Sequence, residues 1–336
     1  MSRLIARRRP AGRLVIDAKD VSMRVLVIGA SGVVGRRLVP QLLAAGHVVV
    51  ATALSNRGRE RLDPAAQPRQ LDLLDAAAVR SALIEVQPDA VVHQATALAG
   101  TGTDMRHFDE LFATTNRLRT EGTRNLLAAA DDAGGPRLIA QSYCGWPWAP
   151  VGGAVKSEED PLDDHPPKSF SKTLQAIREL EAMVGGYPKG VVLRYGSLYG
   201  PGTSLSDDGD IIGAVRKRRM PILGRGGGLW SFTHVDDAAS AAVAALTHGR
   251  GTYNIVDDQP AKTEEVVPFL AKLVGAPRPL HLPTWLGRLG GGDLLVRIMT
   301  EARGSSNAKA RRELGWKPRY PDWRVGFAED LGGPGG

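Results

Sequence analysis

Apolar residues in this chain fall into short continuous runs separated by stretches where they recur at helical spacing. Residues 23–29, MRVLVIG, form a β-branched run that turns straight into a glycine loop. Val34, Leu38 and Leu42 then recur every fourth residue as far as Gly46, with Pro40 predicting an interruption on the way. Continuous apolar runs return at 47–52, 90–93, 137–141 and 190–194, the last three behind Pro88, Gly134-Gly135-Pro136 and Pro188. Helical spacing lies between them, around 75–86, 108–131 and 170–184. Strands apolar throughout and alternating with helices predict an α/β fold, a doubly wound parallel sheet covered on both faces.

Beyond Tyr199-Gly200-Pro201-Gly202 the alternation loosens. A glycine-rich stretch at 224–228, a helix over 235–246, a strand at 253–256 and a helix over 264–274 precede a tail rich in Pro, Gly and Arg. The expected division is a nucleotide domain over 23–194 and a mainly substrate-binding lobe over 195–336. The strand near 253–256 returns to the sheet, and the lobe sits on the carboxyl edge where ligands of such folds bind. Residues 1–22 read as a disordered extension: Arg7-Arg8-Arg9 resembles the start of an export signal, but Asp17, Lys19 and Asp20 cut off any apolar stretch behind it.

Composition narrows the class. A chain of 336 residues can bury a large core, and no apolar stretch is long enough to span a bilayer. The single cysteine, Cys144, excludes an internal disulfide framework and a multi-thiolate zinc site, and points to a reducing, cytoplasmic setting. The net charge of +7 comes from scattered basic residues, densest at Arg7-Arg8-Arg9 and Arg216-Lys217-Arg218-Arg219, without zinc-finger or RNA-binding spacing. It reads as solvated faces plus attraction for a phosphorylated cofactor. Neither nucleic acid nor membrane is expected as a partner, and no metal.

The loop Gly29-Ala30-Ser31-Gly32-Val33-Val34-Gly35 stands between a strand and a helix, the context in which glycine spacing signals a dinucleotide. Gly29 allows the tight turn, Gly32 the approach of pyrophosphate, and Gly35 close packing of helix on sheet; the helix start supplies amide donors.

The GxxGxxG spacing and the motifs after it resemble the extended or atypical short-chain dehydrogenase/reductases, the NAD-dependent epimerase/dehydratase family, over about residues 23–330. Asp72-Leu73 is similar to the family's pair beside the adenine, and His93-Gln94-Ala95 to the segment after strand four. Gly122-Thr123-Arg124-Asn125-Leu126-Leu127, Leu193-Arg194 with Tyr199-Gly200-Pro201-Gly202, and Phe232-Thr233-His234-Val235-Asp236-Asp237 match further motifs. The stretch from Asn307-Ala308-Lys309-Ala310 to Leu314-Gly315-Trp316 matches the closing one. The resemblance implies a Rossmann-type domain, a bound NAD(P) and a small-molecule substrate. It also implies a homodimer formed through the helices near 108–131 and 170–184.

Cofactor choice turns on the end of the second strand. No acid follows Ala53 until Glu60, and Ser55, Asn56, Arg57 and Arg59 intervene. NADP is therefore expected, with NAD the alternative, and Arg57 is the candidate partner of a 2′-phosphate through its bidentate fork. Arg57 as a solvated loop arginine is the competing reading.

The family's reacting groups are a Ser/Thr at the end of strand five and a Tyr-x-x-x-Lys on the next helix. In Lys168-Ser169-Phe170-Ser171-Lys172 the lysine is present as Lys172, but Lys168 occupies the tyrosine's place. Ser142 or Tyr143, depending on a one-residue shift, takes the Ser/Thr position. Tyr143 then reads either as a phenol supplied from the opposite wall with Lys172 as its electrostatic partner, or as a hydrogen-bonded pocket lining. Tyr195 and Tyr199, both pocket candidates, are alternative sources of the phenol, although Tyr199 matches a position the family uses structurally. Cys144 and Gly145 stand where the dehydratases carry an Asp-Glu pair, which argues against dehydration. Trp146, with Trp148, reads as a wall for a flat or apolar substrate or as lobe packing.

Two functions remain. One is an NAD(P)-dependent oxidoreductase or epimerase of a small hydroxy or keto metabolite, working near Ser142, Tyr143 and Lys172. The other is a non-catalytic NAD(P)-binding regulator, favoured by the missing tyrosine and disfavoured by the complete substrate lobe.

Overall fold

The run Arg24–Ile28 forms strand β1, buried from Val25 onward because helices cover both of its faces. The computed structural model describes residues 22–98, 102 and 104–332, so the expectation for residues 1–22 falls outside the described residues except at Ser22. Helix α1 (Gly35–Ala44), β2 (Val48–Ala53), the single-turn α2 (Asn56–Arg59), β3 (Gln67–Gln70), α3 (Ala76–Val86) and β4 (Ala90–His93) follow in order. Then come α4 (Phe108–Leu111), α5 (Ala113–Arg117), a π-helical turn at Leu118–Gly122, α6 (Thr123–Ala130) and β5 (Arg137–Tyr143). The chain continues through α7 (Ser171–Gly186), β6 (Gly190–Tyr195), α8 (Val235–Ala244) and β7 (Gly251–Ile255).

The seven strands form one sheet in the order β7-β6-β5-β4-β1-β2-β3, every pair parallel. This is the Rossmann-type arrangement. The order reverses between β1 and β4, which opens a crevice above their carboxyl ends. Alternation along β1 divides the core. Val25 and Val27 pack with Leu38, Leu42, Ala238 and Ala242 on the side of α1 and α8. Leu26 and Ile28 pack with Leu83, Leu126 and Leu180 on the side of α3, α6 and α7.

Tertiary context changes several sequence expectations. Pro40 does not interrupt α1: it lies inside the helix on the exposed side, where its missing N–H leaves no buried carbonyl stranded. Strand β3, QPRQ, has no apolar run to announce it; as an edge strand paired only with β2 it tolerates both polarity and Pro68. The helix expected over 108–131 is interrupted by a turn at Phe112 and again by the π-helical stretch Leu118–Gly122. Helix α8 and strand β7, although they follow the lobe's first motifs, pack on α1 and pair with β6. A second core cluster joins Phe232, Val266, Leu270, Trp323 and Phe327 to Phe108, Phe170, Leu174 and Ile177, so it is shared across the division expected at residue 194.

Candidate functional site

The glycine loop shows which glycines the protein needs for itself and which it leaves open. Gly29 has φ +83°, and a Cβ there would stand 2.7 Å from the backbone of Ala95. A Cβ at Gly35 would stand 2.3 Å from the Gly29 carbonyl oxygen. Gly32 is exposed, and its Cβ would meet only that same oxygen, at 3.2 Å. Helix α1 begins at Val34 and Gly35 with no side-chain cap, so its first amide groups face outward beside Ser31, Gly32 and Val33. At the end of β4 the Gln94 Oε1 is buried with no partner. An uncapped helix start, an open glycine and an orphaned amide oxygen on one crevice fit a dinucleotide.

Around this crevice Asp72 is exposed, its Oδ1 accepting from the Leu74 N–H at 2.9 Å, and the Leu73 carbonyl is held by Asn125 at 3.0 Å. Ser55 caps α2 by accepting from the Gly58 N–H at 3.2 Å, and Gly58 lies against the hydroxyls of Ser31 and Ser55. Arg57 is exposed on that turn and makes no ion pair among the described residues.

Strand β5 ends by sending two neighbouring side chains to opposite faces. The Ser142 hydroxyl donates to Glu181 Oε1 at 2.7 Å, and Arg194 closes on the same carboxylate with Nε to Oε1 at 2.8 Å and Nη2 to Oε2 at 2.6 Å. Ser142 is thus committed to a buried ion pair. Tyr143 turns the other way, its ring folded over Gly145, where a Cβ would come within 2.0 Å of the phenol oxygen. The ring meets Trp146 edge-on at 4.9 Å; Trp146 meets Phe108, and Phe108 stacks on Phe112 at 4.0 Å and meets Phe170 at 5.5 Å. These five rings form one packed cluster, with Phe108 and Phe170 in the buried core. Within it the Tyr143 hydroxyl and the Trp146 Nε1 are buried without a hydrogen-bond partner. Burial pushes the Tyr143 phenol well above its usual range, so it stays protonated, although Ser197 nearby draws it back a little.

Lys168 and Lys172 both end up exposed. Lys168 stands in the turn Lys168–Phe170, and Lys172 in the first turn of α7, whose start is capped by Asp109. That carboxylate accepts from the N–H groups of Lys172 at 2.9 Å and Thr173 at 2.7 Å. The cation whose field reaches the Tyr143 hydroxyl is Arg119. It projects from the π-helical turn, is 7% exposed, and gives one hydrogen bond, Nη1 to Asn116 Oδ1 at 3.2 Å. Burial lowers its pKa to about 10, against the pull of Glu181 and Tyr143, so it remains a cation at neutral pH. His93 supports the same turn. Its Nδ1 accepts from the Ala95 N–H at 3.3 Å, which leaves Nε2 to donate to the Leu118 carbonyl at 3.3 Å. Burial lowers its pKa to about 4, so the ring is neutral.

Tyr195 and Tyr199 are core residues rather than pocket walls. Tyr195, 2% exposed, accepts from Gln94 at 3.1 Å and donates to the Ala238 carbonyl at 3.2 Å. Tyr199 is fully buried and stacks on Phe327 at 4.3 Å. Cys144 is no nucleophile: its buried thiol faces the Arg194 carbonyl, and burial pushes its pKa up to about 12. His234 and Asp237 serve structure, the first bonded to Asp330 at 3.2 Å and the second accepting from the N–H groups of Arg319 and Tyr320. Sequence reasoning missed Arg119, Phe108, Phe112 and Phe170. Nothing in the string TNRLRTEG separates Arg119 from a surface helix arginine, because only the π-helical turn carries it inward.

Comparison with known proteins agrees with this geometry. The model of the family described as NAD dependent epimerase/dehydratase matches residues 25–256. The 3-diazoavenalumate denitrifying reductase of a Streptomyces species is 43% identical over 311 residues, covering 92% of this chain and 100% of the relative. The UDP-glucose 4-epimerase of Mycolicibacterium smegmatis is 28% identical, with 88% and 94% covered. Among solved structures, the UDP-glucose 4-epimerase of Thermus thermophilus in complex with NAD superposes with a TM-score of 0.70 at 26% identity, covering 93% of this chain and 100% of that one.

Proposed function

We propose, from the premise that this chain belongs to the NAD dependent epimerase/dehydratase family, that it is an NADPH-dependent reductase of an aromatic diazo compound, releasing dinitrogen. The observation that carries the reading is an exposed lysine, Lys168, at the place where the resemblance puts the family's tyrosine, in the turn that contributes Phe170 to a cluster of five aromatic rings.

Carbonyl reduction leaves an alkoxide and calls for an acid; replacing a diazonium group by hydrogen does not. A reduced nicotinamide, when bound, would supply the hydride for the ring C–H bond, and the C–N bond would break with its electron pair leaving on N2. The positive charge of the diazonium and the negative charge of the hydride cancel, and no proton is consumed. In such a site Tyr143, held as a neutral phenol by burial, orients the substrate, and Trp146 and Phe108 present ring faces and edges to a planar ligand. Gly32, the uncapped start of α1 and Ser31 would hold the pyrophosphate, and Arg57 with Ser55 a 2′-phosphate, with no acid at the end of β2 to repel it.

The name of the relative at 43% identity supports the diazo substrate, and its identity exceeds the 28% of the UDP-glucose 4-epimerase. The test is single turnover with 4-deuterated NADPH and an ortho-diazophenol bearing a carboxylate side chain. Deuterium on the ring carbon, with N2 released in equal amount, is expected; its absence overturns the reading.

A second reading is reduction of a small keto substrate with Tyr143 as the donor, supported by its unpartnered hydroxyl. Tyr143→Phe separates the two: carbonyl reduction loses about 100-fold or more in turnover, whereas denitrification changes by only a few-fold. Tight NADPH binding with turnover of neither substrate class would instead support a non-catalytic regulator.

A further inference from the structure

The groups left without partners on the aromatic wall are all donors. Arg119 is more than nine-tenths buried, yet no carboxylate lies within ion-pair distance of it among the described residues, and its single bond goes to a neutral amide oxygen. The acid whose field it feels, Glu181, is already held by two bonds from Arg194 and one from Ser142. The Trp146 Nε1 can only donate and has no partner, and the Tyr143 hydroxyl, protonated by its surroundings, has only the Ser197 side chain beside it. A desolvated cation, an idle indole donor and a protonated phenol beside stacked rings lack one thing, an anion.

We propose that Arg119, with Tyr143 and Trp146, is a recognition corner for an oxyanion, carboxylate or phenolate, carried by a planar aromatic ligand. Arg119 thereby selects charged aromatic substrates over neutral ones. The π-helical turn is what allows this: Leu118 gives its carbonyl to His93, the helix widens by one residue, and Arg119 turns inward. Arg119 acts here as a specificity-determining residue. The proposal rests on the aromatic-substrate reading for the ring, but its test needs no turnover.

Calorimetric titration of the full chain with NADP+ present compares two matched pairs. One is 4-hydroxycinnamate against its uncharged amide, and the other is 4-nitrophenolate against nitrobenzene. In the native protein at least one anion is expected to bind about tenfold or more tighter than its neutral partner. Arg119→Gln is expected to weaken that anion about 30-fold and its neutral partner less than threefold, with NADP+ affinity unchanged; Arg119→Lys restores most of the loss. Equal binding within both pairs by the native protein overturns the proposal and needs no variant. Parallel weakening of anion and neutral partner in Arg119→Gln also overturns it. Charge-selective binding without diazo turnover leaves the anion corner standing and removes the denitrification reading. Diazo turnover without charge-selective binding does the reverse.

Discussion

Two buried arginines beside Glu181 stand under opposite conditions. Arg194, 6% exposed, lies over the Trp148 ring and forks onto Glu181; burial pulls its pKa down, and the carboxylate more than restores it. Arg119 is as deeply buried but has only an amide oxygen, and its pKa falls to about 10. Both are arginines in the same layer of the fold, within the field of the same glutamate. The contrast separates a charge that the fold neutralises from one it leaves for a ligand. Ser142 and Tyr143 repeat the pattern one residue apart, the first bonded into the ion pair and the second idle.

The largest effect that tests this contrast is on stability. Arg194→Met strands Glu181 with only Ser142 and is expected to cost about 3–5 kcal/mol in urea unfolding. Arg119→Met strands no charge and is expected to stay within about 1 kcal/mol of the native chain, or to gain stability. Equal losses in the two variants would erase the distinction.

Asp257 extends the comparison to an acid. Its Oδ2 is buried without a partner, and burial pushes its pKa from 3.8 up to about 8, with the Gln259 N–H pulling back. The folded state therefore prefers the protonated carboxyl. Its contribution to stability is complete below the unfolded pKa and is lost as pH rises through about 8. Tm is expected to fall by about 5 °C between roughly pH 5 and 9 because of this group, and Asp257→Asn to flatten that part of the profile.

The smallest effect concerns an arginine that is unpaired because it is exposed. Arg57→Ala is expected to weaken NADPH about tenfold in fluorescence titration and to leave NADH unchanged. Equal weakening of both would remove Arg57 from the 2′-phosphate.

The parallel sheet was readable in the chain because buried parallel strands must be apolar on both faces, and the runs at 25–28, 90–92 and 190–193 are. The glycine loop was readable because Gly29 and Gly35 answer to backbone contacts that any other residue would violate. Strand β3 was hidden, since an edge strand of polar residues carries no periodic signal. The aromatic cluster was half readable. Tyr143 and Trp146 could be picked out, whereas the burial of Tyr195 and Tyr199 could not, because aromatic residues in a core and in a pocket look alike in a string.

Sequence alone therefore determined the family and the glycine loop of the cofactor crevice, both local matters of residue type at fixed spacing. Tertiary structure decided which charges are neutralised. Whether Arg119 or Arg194 meets a carboxylate depends on which way a π-helical turn and a strand face point, and no spacing along the chain records that.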